Sequence, residues 1–290
     1  LCLVDQRVGD STLSSFIQKR NTIEEVIYPD RGSIYDKNGN ILAQTVSSYT
    51  VIAYLSPTRS ENKEKSMHVV DKEMTAEKLA PLLNMSKETL VNLLSKDAYQ
   101  VELGPGGRNL SQLEKEKIES LELPGIDFIK SSKRYYANGD FASYILGYTV
   151  SSKENEKVLV GELGIEEYYN DVLTGKDGYI TYEKDRYGYK IANGREYKID
   201  AKNGDNVYLT IDNNIELFIQ NAVKSANQKA DSEWSFMVVA DAKSGAILGY
   251  SSTPSFDPNL KNMTSYLDPV VNYAYEPGST MKIFSYMCAI

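Results

Sequence analysis

The sequence predicts an α+β protein in two parts, with a change of texture near residue 203, and three observations carry that expectation. An Asn38-Gly39 step lies between two short apolar segments, around Ile34-Tyr35 and Ile41-Leu42-Ala43, which is the signature of a tight β-hairpin. Leu79, Leu82, Leu83, Leu90, Leu93 and Leu94 recur at helical spacing rather than in alternation. After Lys202-Asn203-Gly204-Asp205, one apolar stripe (Ile215, Phe218, Ile219, Ala222, Val223, Ala226) precedes two β-rich runs, the opening of an α/β layer unlike what comes before it. At 290 residues the chain exceeds one average domain, so two domains with a core each are expected.

In chain order, residues 11 to 28 are mixed and polar, and the hairpin follows. Tyr49 to Leu55, rich in β-branched and aromatic residues, is expected as the next strand. A polar loop around Ser60 to Ser66 leads to two short leucine-bearing helices broken near Asn84-Met85-Ser86. Ser111 with Glu114 three residues on reads as an N-cap, giving a helix over 112 to 121 that stops before Pro124-Gly125; Ile126 to Ile129 is extended. From Arg134 to Tyr189 the chain is dense in tyrosine and glycine, which fits a carbohydrate-binding surface or, as the default, aromatic packing on a small irregular sheet. Val207 to Ile211 reads as a strand, Asp212 as the cap of the striped helix, and Phe236–Ala240 with Ala246–Tyr250 as an antiparallel pair.

Composition narrows the function. The 41% hydrophobic and 25% charged fractions are those of a folded globular chain. Net charge is −8, and acids and lysines interleave, as in Glu114-Lys115-Glu116-Lys117, so nucleic acid is not an expected partner. The cysteines, Cys2 and Cys288, stand at opposite ends and supply neither a disulfide framework nor metal-ligand spacing; no metal or cofactor is expected. His68, the one histidine, reads as solvated surface. No phosphate-binding glycine pattern is present. No stretch approaches the ~20 apolar residues of a membrane span. The start at Leu1-Cys2-Leu3-Val4 reads as the tail of a hydrophobic segment, and Ile290 falls inside an amphipathic run, so a piece of a longer protein is expected.

Chemistry concentrates at Glu276-Pro277-Gly278-Ser279-Thr280-Met281-Lys282. Pro277-Gly278 breaks the backbone, and Ile283, Tyr286, Met287 and Ile290 then repeat at helical spacing, so a helix is expected to begin near Ser279 and bury that stripe. Residues three apart share a helix face, which brings the Lys282 amine beside the Ser279 hydroxyl, and a helix start favours negative charge developing there. A lysine takes a serine proton only when desolvation or nearby positive charge lowers its pKa from ~10.4, so Lys282 is expected to be buried. Ser-x-x-Lys alone is weak: Ser60-Glu61-Asn62-Lys63 has the same spacing in a charged loop and is read as solvent-facing. Without more, catalysis and an ordinary helix cap with a surface lysine stand about level.

The sequence resembles the class B penicillin-binding proteins, the monofunctional transpeptidases of the bacterial cell wall, along nearly its whole length. Arg31-Gly32-Ser33-Ile34-Tyr35-Asp36 with Asn38-Gly39, then Arg134-Tyr135-Tyr136 through Gly139, then Gly164-Ile165-Glu166 look like the motifs of the N-terminal pedestal, or dimerisation, domain; Ala137 stands in place of a common proline. Leu209 to Asp212, Asp241 to Gly245, Thr253 to Pro258 and Glu276 to Lys282 resemble the start of the transpeptidase domain, the last residue for residue. The resemblance implies a membrane-proximal segment at 1–30, an elongated irregular pedestal at 31–203 and the first part of a β-lactamase-like α/β transpeptidase domain at 204–290. It implies Ser279 as the acylated nucleophile and Lys282 as its base, cross-linking peptidoglycan stem peptides through an acyl-enzyme that β-lactams trap. The family's Ser-x-Asn and Lys-Thr-Gly motifs are expected beyond Ile290, so the 290 residues alone are expected to be inactive. It further implies an N-terminal membrane anchor, an extracytoplasmic catalytic domain, and a membrane-embedded glycosyltransferase with division or elongation proteins as pedestal partners. A non-catalytic cell-wall or divisome scaffold with a degenerate serine site is the alternative, and a β-lactamase or β-lactam sensor shares the chemistry but needs no pedestal.

Overall fold

The structure, a computed structural model, describes residues 7–8, 11–12, 22–60, 65–155, 158–184, 191 and 194–290. Strands β1 (Arg7–Val8) and β2 (Ser11–Thr12) form a short antiparallel pair, and β3 (Thr22–Ile27) joins a later sheet. The Asn-Gly step makes the expected hairpin: β4 (Ile34–Tyr35) turns through Gly39, whose φ of 84° suits a residue without Cβ, into β5 (Ile41–Tyr54). The strand expected from Tyr49 is not separate. It is the second half of β5, which runs on because no glycine or proline interrupts Ala43 to Leu55.

Beyond β5 the leucine pattern forms α1 (Lys72–Leu83) and α2 (Lys87–Leu94). Asp71 and Ser86 cap their starts, and Asn84, left-handed at φ 49°, ends the first. After β6 (Gln100–Glu102), α3 (Gln112–Glu119) opens on a full capping box between Ser111 and Glu114. Strand β7 (Ile126–Tyr136) then pairs antiparallel with β5 from Ala53↔Ile126 to Ala43↔Tyr136. Val51 and Ala53 on one face of β5 meet Leu79, Leu83, Leu90, Leu94 and Ile118 from the three helices, and this is the first core.

The tyrosine- and glycine-rich stretch is a run of short elements: α4 (Ser143–Leu146), paired strands β8 (Thr149–Ser151) and β9 (Leu159–Gly161), α5 (Gly164–Tyr168) and α6 (Asn170–Thr174). Its rings divide. Tyr136 and Tyr148 are buried, whereas Tyr135 and Tyr168 are 43% and 81% exposed. Strands β10 (Gly178–Glu183) and β11 (Glu196–Ile199) join β3 in the order β11-β10-β3.

The expected strand at Val207–Ile211 is shorter, β12 (Val207–Tyr208), and pairs parallel with β4 of the first hairpin. It leads into α7 (Asn213–Ala230), then the antiparallel pair β13 (Ser235–Ala240) and β14 (Ile247–Thr253), the short helix α8 (Pro269–Asn272), and α9 (Lys282–Ala289). A second core crosses residue 203: Ile34, Leu42, Tyr136, Phe141 and Leu173 pack with Ile211 and Phe256. No described helix is long and apolar enough to cross a membrane.

Candidate active site

The residues that hold the two stretches together belong to the hairpin motif. Asp36 is fully buried and accepts from the Asn38 and Asn40 amides at 2.8 and 2.7 Å, from Asn40 Nδ2 at 2.8 Å, and from the Asn213 amide at the start of α7 at 3.2 Å. Burial alone raises its pKa, but these donors outweigh it and hold the carboxyl below its ordinary value. Lys37 pairs with Asp212 at 2.9 Å, and Asp212 in turn caps α7 through the Asn214 and Ile215 amides. The turn of β4–β5 therefore fixes where α7 begins.

The three pedestal-like motifs converge on one carboxylate. Glu166 is fully buried and accepts from Arg31 Nε at 2.8 Å and Arg134 Nε at 2.7 Å, with the Tyr136 hydroxyl at 3.4 Å. Burial and the nearby carboxylate push the Tyr136 hydroxyl pKa up. Arg31 also reaches Asn170 Oδ1, Thr174 Oγ1 and the Glu166 carbonyl. Each of the three charged residues stands in its own motif, and no local pattern indicates that they meet.

Along α7 the expected stripe is only partly the buried face. Ile219 and Val223 are buried, but Phe218 is 73% exposed and Glu216 and Gln220 lie inside instead. The helix packs on two surfaces at once, β13–β14 and the loop after β7, where Asp140 accepts from Gln220 Nε2 and Lys224 Nζ at 2.7 Å each. Glu216 accepts the Tyr250 amide of β14. Desolvation pushes its carboxyl up to about 7, against the backbone donors of Tyr250 and Ala142. The Tyr250 hydroxyl donates to Asp268 at 2.6 Å, and Asp268 caps α8 through the Val270 amide.

From α8 the chain is held by aromatic rings. Trp234 stacks on Phe236 of β13 with centroids 5.9 Å apart, and Tyr273 and Tyr275 set their edges against Trp234 at 5.5 and 6.2 Å. Glu276 follows, and Gly278–Met281 forms a 3₁₀ turn that runs directly into α9. The helical start expected near Ser279 is present, in its tighter form. In a 3₁₀ turn residues three apart eclipse, which sets Ser279 and Lys282 on one side; the Lys282 amide donates to the Ser279 carbonyl.

Several of the expectations are corrected here. Ser279 and Lys282 are both exposed, not set in a buried helix, and among the described residues neither side chain has a hydrogen-bond or ion-pair partner. The stripe of α9 is exposed too: Ile283 is 65% and Met287 69% accessible. Amphipathic spacing says that a face is apolar, and the described elements offer nothing to cover it. His68, read as solvated, is half-buried, with Nδ1 2.6 Å from the Ser60 hydroxyl. Ser60 of the second Ser-x-x-Lys therefore serves a loop contact; Lys63 lies outside the described residues, as does Cys2, while Cys288 is free and exposed. Among the described residues no group of three or more His, Cys, Asp or Glu side chains gathers as metal ligands.

The comparisons agree with this architecture. The family model described as the penicillin-binding protein dimerisation domain matches residues 26–209, and that of the penicillin binding protein transpeptidase domain matches residues 235–290. Stage V sporulation protein D of Bacillus subtilis is 32% identical over 268 residues, covering 90% of this chain and 38% of its own length. Peptidoglycan D,D-transpeptidase MrdA of Acinetobacter baumannii is 30% identical over 285 residues, covering 88% and 39%. The crystal structure of Penicillin Binding Protein 2X from Streptococcus thermophilus superposes with a TM-score of 0.62 at 29% identity, over 90% of this chain and 40% of that one. The chain belongs to the class B penicillin-binding proteins. It spans about two fifths of the length of these relatives.

Proposed function

We propose that the chain is the pedestal and opening transpeptidase segment of a serine D,D-transpeptidase of peptidoglycan synthesis, with Ser279 as nucleophile and Lys282 as general base. The placement of both residues on one side of a helical start carries this reading, together with the matched transpeptidase family and relatives named peptidoglycan D,D-transpeptidases. In the proposed reaction Ser279 Oγ attacks the penultimate D-alanine carbonyl of a stem peptide and its proton passes to Lys282. The C–N bond to the terminal D-alanine breaks, and Lys282 returns the proton to that leaving amine. The amine of a neighbouring stem then takes the acyl group and frees the serine; a β-lactam enters as the donor does.

The proposal extends to organisation. Residues 1–30 are assigned as membrane-proximal, 31–203 as pedestal and 204–290 as the first part of the catalytic domain, with an N-terminal anchor and the catalytic side outside the cytoplasm. A membrane-embedded glycosyltransferase and division or elongation proteins are the proposed pedestal partners. The 290 residues alone are proposed to be inactive, because a base must lose solvent to work and Lys282 is exposed. In the longer protein, further elements packed on the apolar face of α9 would supply that burial.

The test is acylation of the full-length protein by a labelled penicillin, followed by peptide mass spectrometry. A long-lived adduct on Ser279 that disappears in Ser279→Ala is expected. An adduct that persists in that variant refutes the assignment, rapid turnover indicates a hydrolase, and no adduct on a folded wild-type protein points to a scaffold.

A further inference from the structure

Strand β7 carries an open backbone edge in a polar groove. In an antiparallel pair, alternate residues aim N–H and C=O at the partner and away from it. Tyr136 aims outward, since its amide donates to Asn259 Oδ1 at 3.0 Å and its carbonyl accepts from Asn259 Nδ2 at 2.9 Å, while the Ala137 amide turns back to Leu42 of β5. By that alternation Phe128, Lys130, Ser132 and Arg134 also face outward. Side chains blunt both ends of the row: Asn259 covers Tyr136, and Asp127 Oδ1 takes the Phe128 amide at 2.8 Å. Between them, among the described residues, the backbone groups of Lys130 and Ser132 have no partner.

An exposed strand edge is a template for another chain, and folded proteins ordinarily block it. Here the unblocked part opens into a groove of about 870 Å³, lined by Ile129 to Ser132, with Tyr28 and Asn155 in its lining joined at 2.5 Å. The volume is within the ~300–1,000 Å³ of ligand sites. Its charge is one-sided. Arg108 is spent on Glu102 at 2.6 Å, which leaves Lys130 and Lys153, neither in an ion pair among the described residues.

We propose that the outer edge of β7 at Lys130 and Ser132 is a docking site for an extended acidic peptide segment of a partner protein, added as a further antiparallel or parallel strand. Backbone hydrogen bonds would supply affinity, and the two lysines the preference for acids. The inference gives the pedestal partner proposed above a surface and a chemistry. It touches neither Ser279 nor Lys282, so failure of the acylation test leaves it standing, and the reverse.

The experiment uses the 290-residue chain and three probes: a capped peptide of roughly ten residues alternating threonine and glutamate, its threonine–lysine counterpart, and a soluble glycan fragment of peptidoglycan. Amide exchange is followed by NMR. The acidic peptide is expected to slow exchange at Lys130 and Ser132. Ser132→Pro removes one outward donor, a change edge strands tolerate, and is expected to weaken binding roughly tenfold or more with thermal unfolding little changed. Lys130→Glu with Lys153→Glu, which leaves the backbone alone, is expected to reverse the preference toward the lysine peptide. Unchanged affinity in a folded Ser132→Pro protein, no protection by either peptide at millimolar concentration, or protection by the glycan alone overturns the proposal.

Discussion

Glu166 sits with no solvent between two guanidinium groups, 2.8 Å from Arg31 Nε and 2.7 Å from Arg134 Nε, and that pairing, with the Tyr136 hydroxyl at 3.4 Å, offsets its desolvation. Replacing such a cluster whole with packed apolar residues is often neutral, so the cluster by itself is weak evidence of stability. Removing one partner is different, because buried charge is left uncompensated. Glu166→Ala strands two arginines that come from β7 and from the segment just before β4. The expected loss is about 3–5 kcal/mol, read as a fall in the urea midpoint. Glu166→Gln keeps an acceptor for one arginine and should fall between the two. Equal stability of wild type and Glu166→Ala would show that the three motifs meet without bearing on the fold.

At the scale of elements, local chemistry decided what the sequence could foretell. The capping box of α3 has Ser111 Oγ accepting from the Glu114 amide at 3.3 Å and Glu114 Oε2 accepting from the Ser111 amide at 2.7 Å. Ser111→Ala removes the first and should cost about 1 kcal/mol, measured as a shift in urea midpoint at unchanged slope. That helix, the Asn-Gly hairpin, the break at Asn84 and the Asp212 cap were legible because each is written within a few residues. The continuity of β5, its pairing with β7 and the parallel match of β12 to β4 join residues up to 173 apart, as Val207 to Ile34 does, and no local pattern encodes that register. The site divides the same way. Spacing placed Ser279 and Lys282 on one side of a helical start, but burial of α9 depends on what packs against it, and the stripe of α7 misassigned Phe218 because that helix faces two surfaces. Trp234 offered only its rarity as a sign that it anchors the approach to Ser279.

Across the whole molecule, the pedestal stretch and the transpeptidase stretch share a core, in which Ile211 and Phe256 belong to one buried cluster with Ile34 and Phe141, so they should unfold as one unit. Glu216 lies in that seam, on α7, against Tyr250 of β14 and Ala142 of the loop after β7. Its folded carboxyl titrates near 7, above the ordinary 4.5, so between those values the folded chain holds a proton that the unfolded chain has released. Stability from this group is therefore complete below about pH 4.5, falls as pH rises to about 7, and is flat beyond, a loss on the order of 3 kcal/mol. Asp36 and Asp212 are shifted down, so their contributions are lost only at lower pH, outside this window. Glu216→Gln, neutral throughout and still able to accept the Tyr250 amide, should remove that slope and be more stable than wild type above neutrality. Urea midpoints of both proteins from slightly acidic to slightly alkaline pH test it: parallel curves would mean that Glu216 is ionised in the fold and that the seam is wetter than its burial implies.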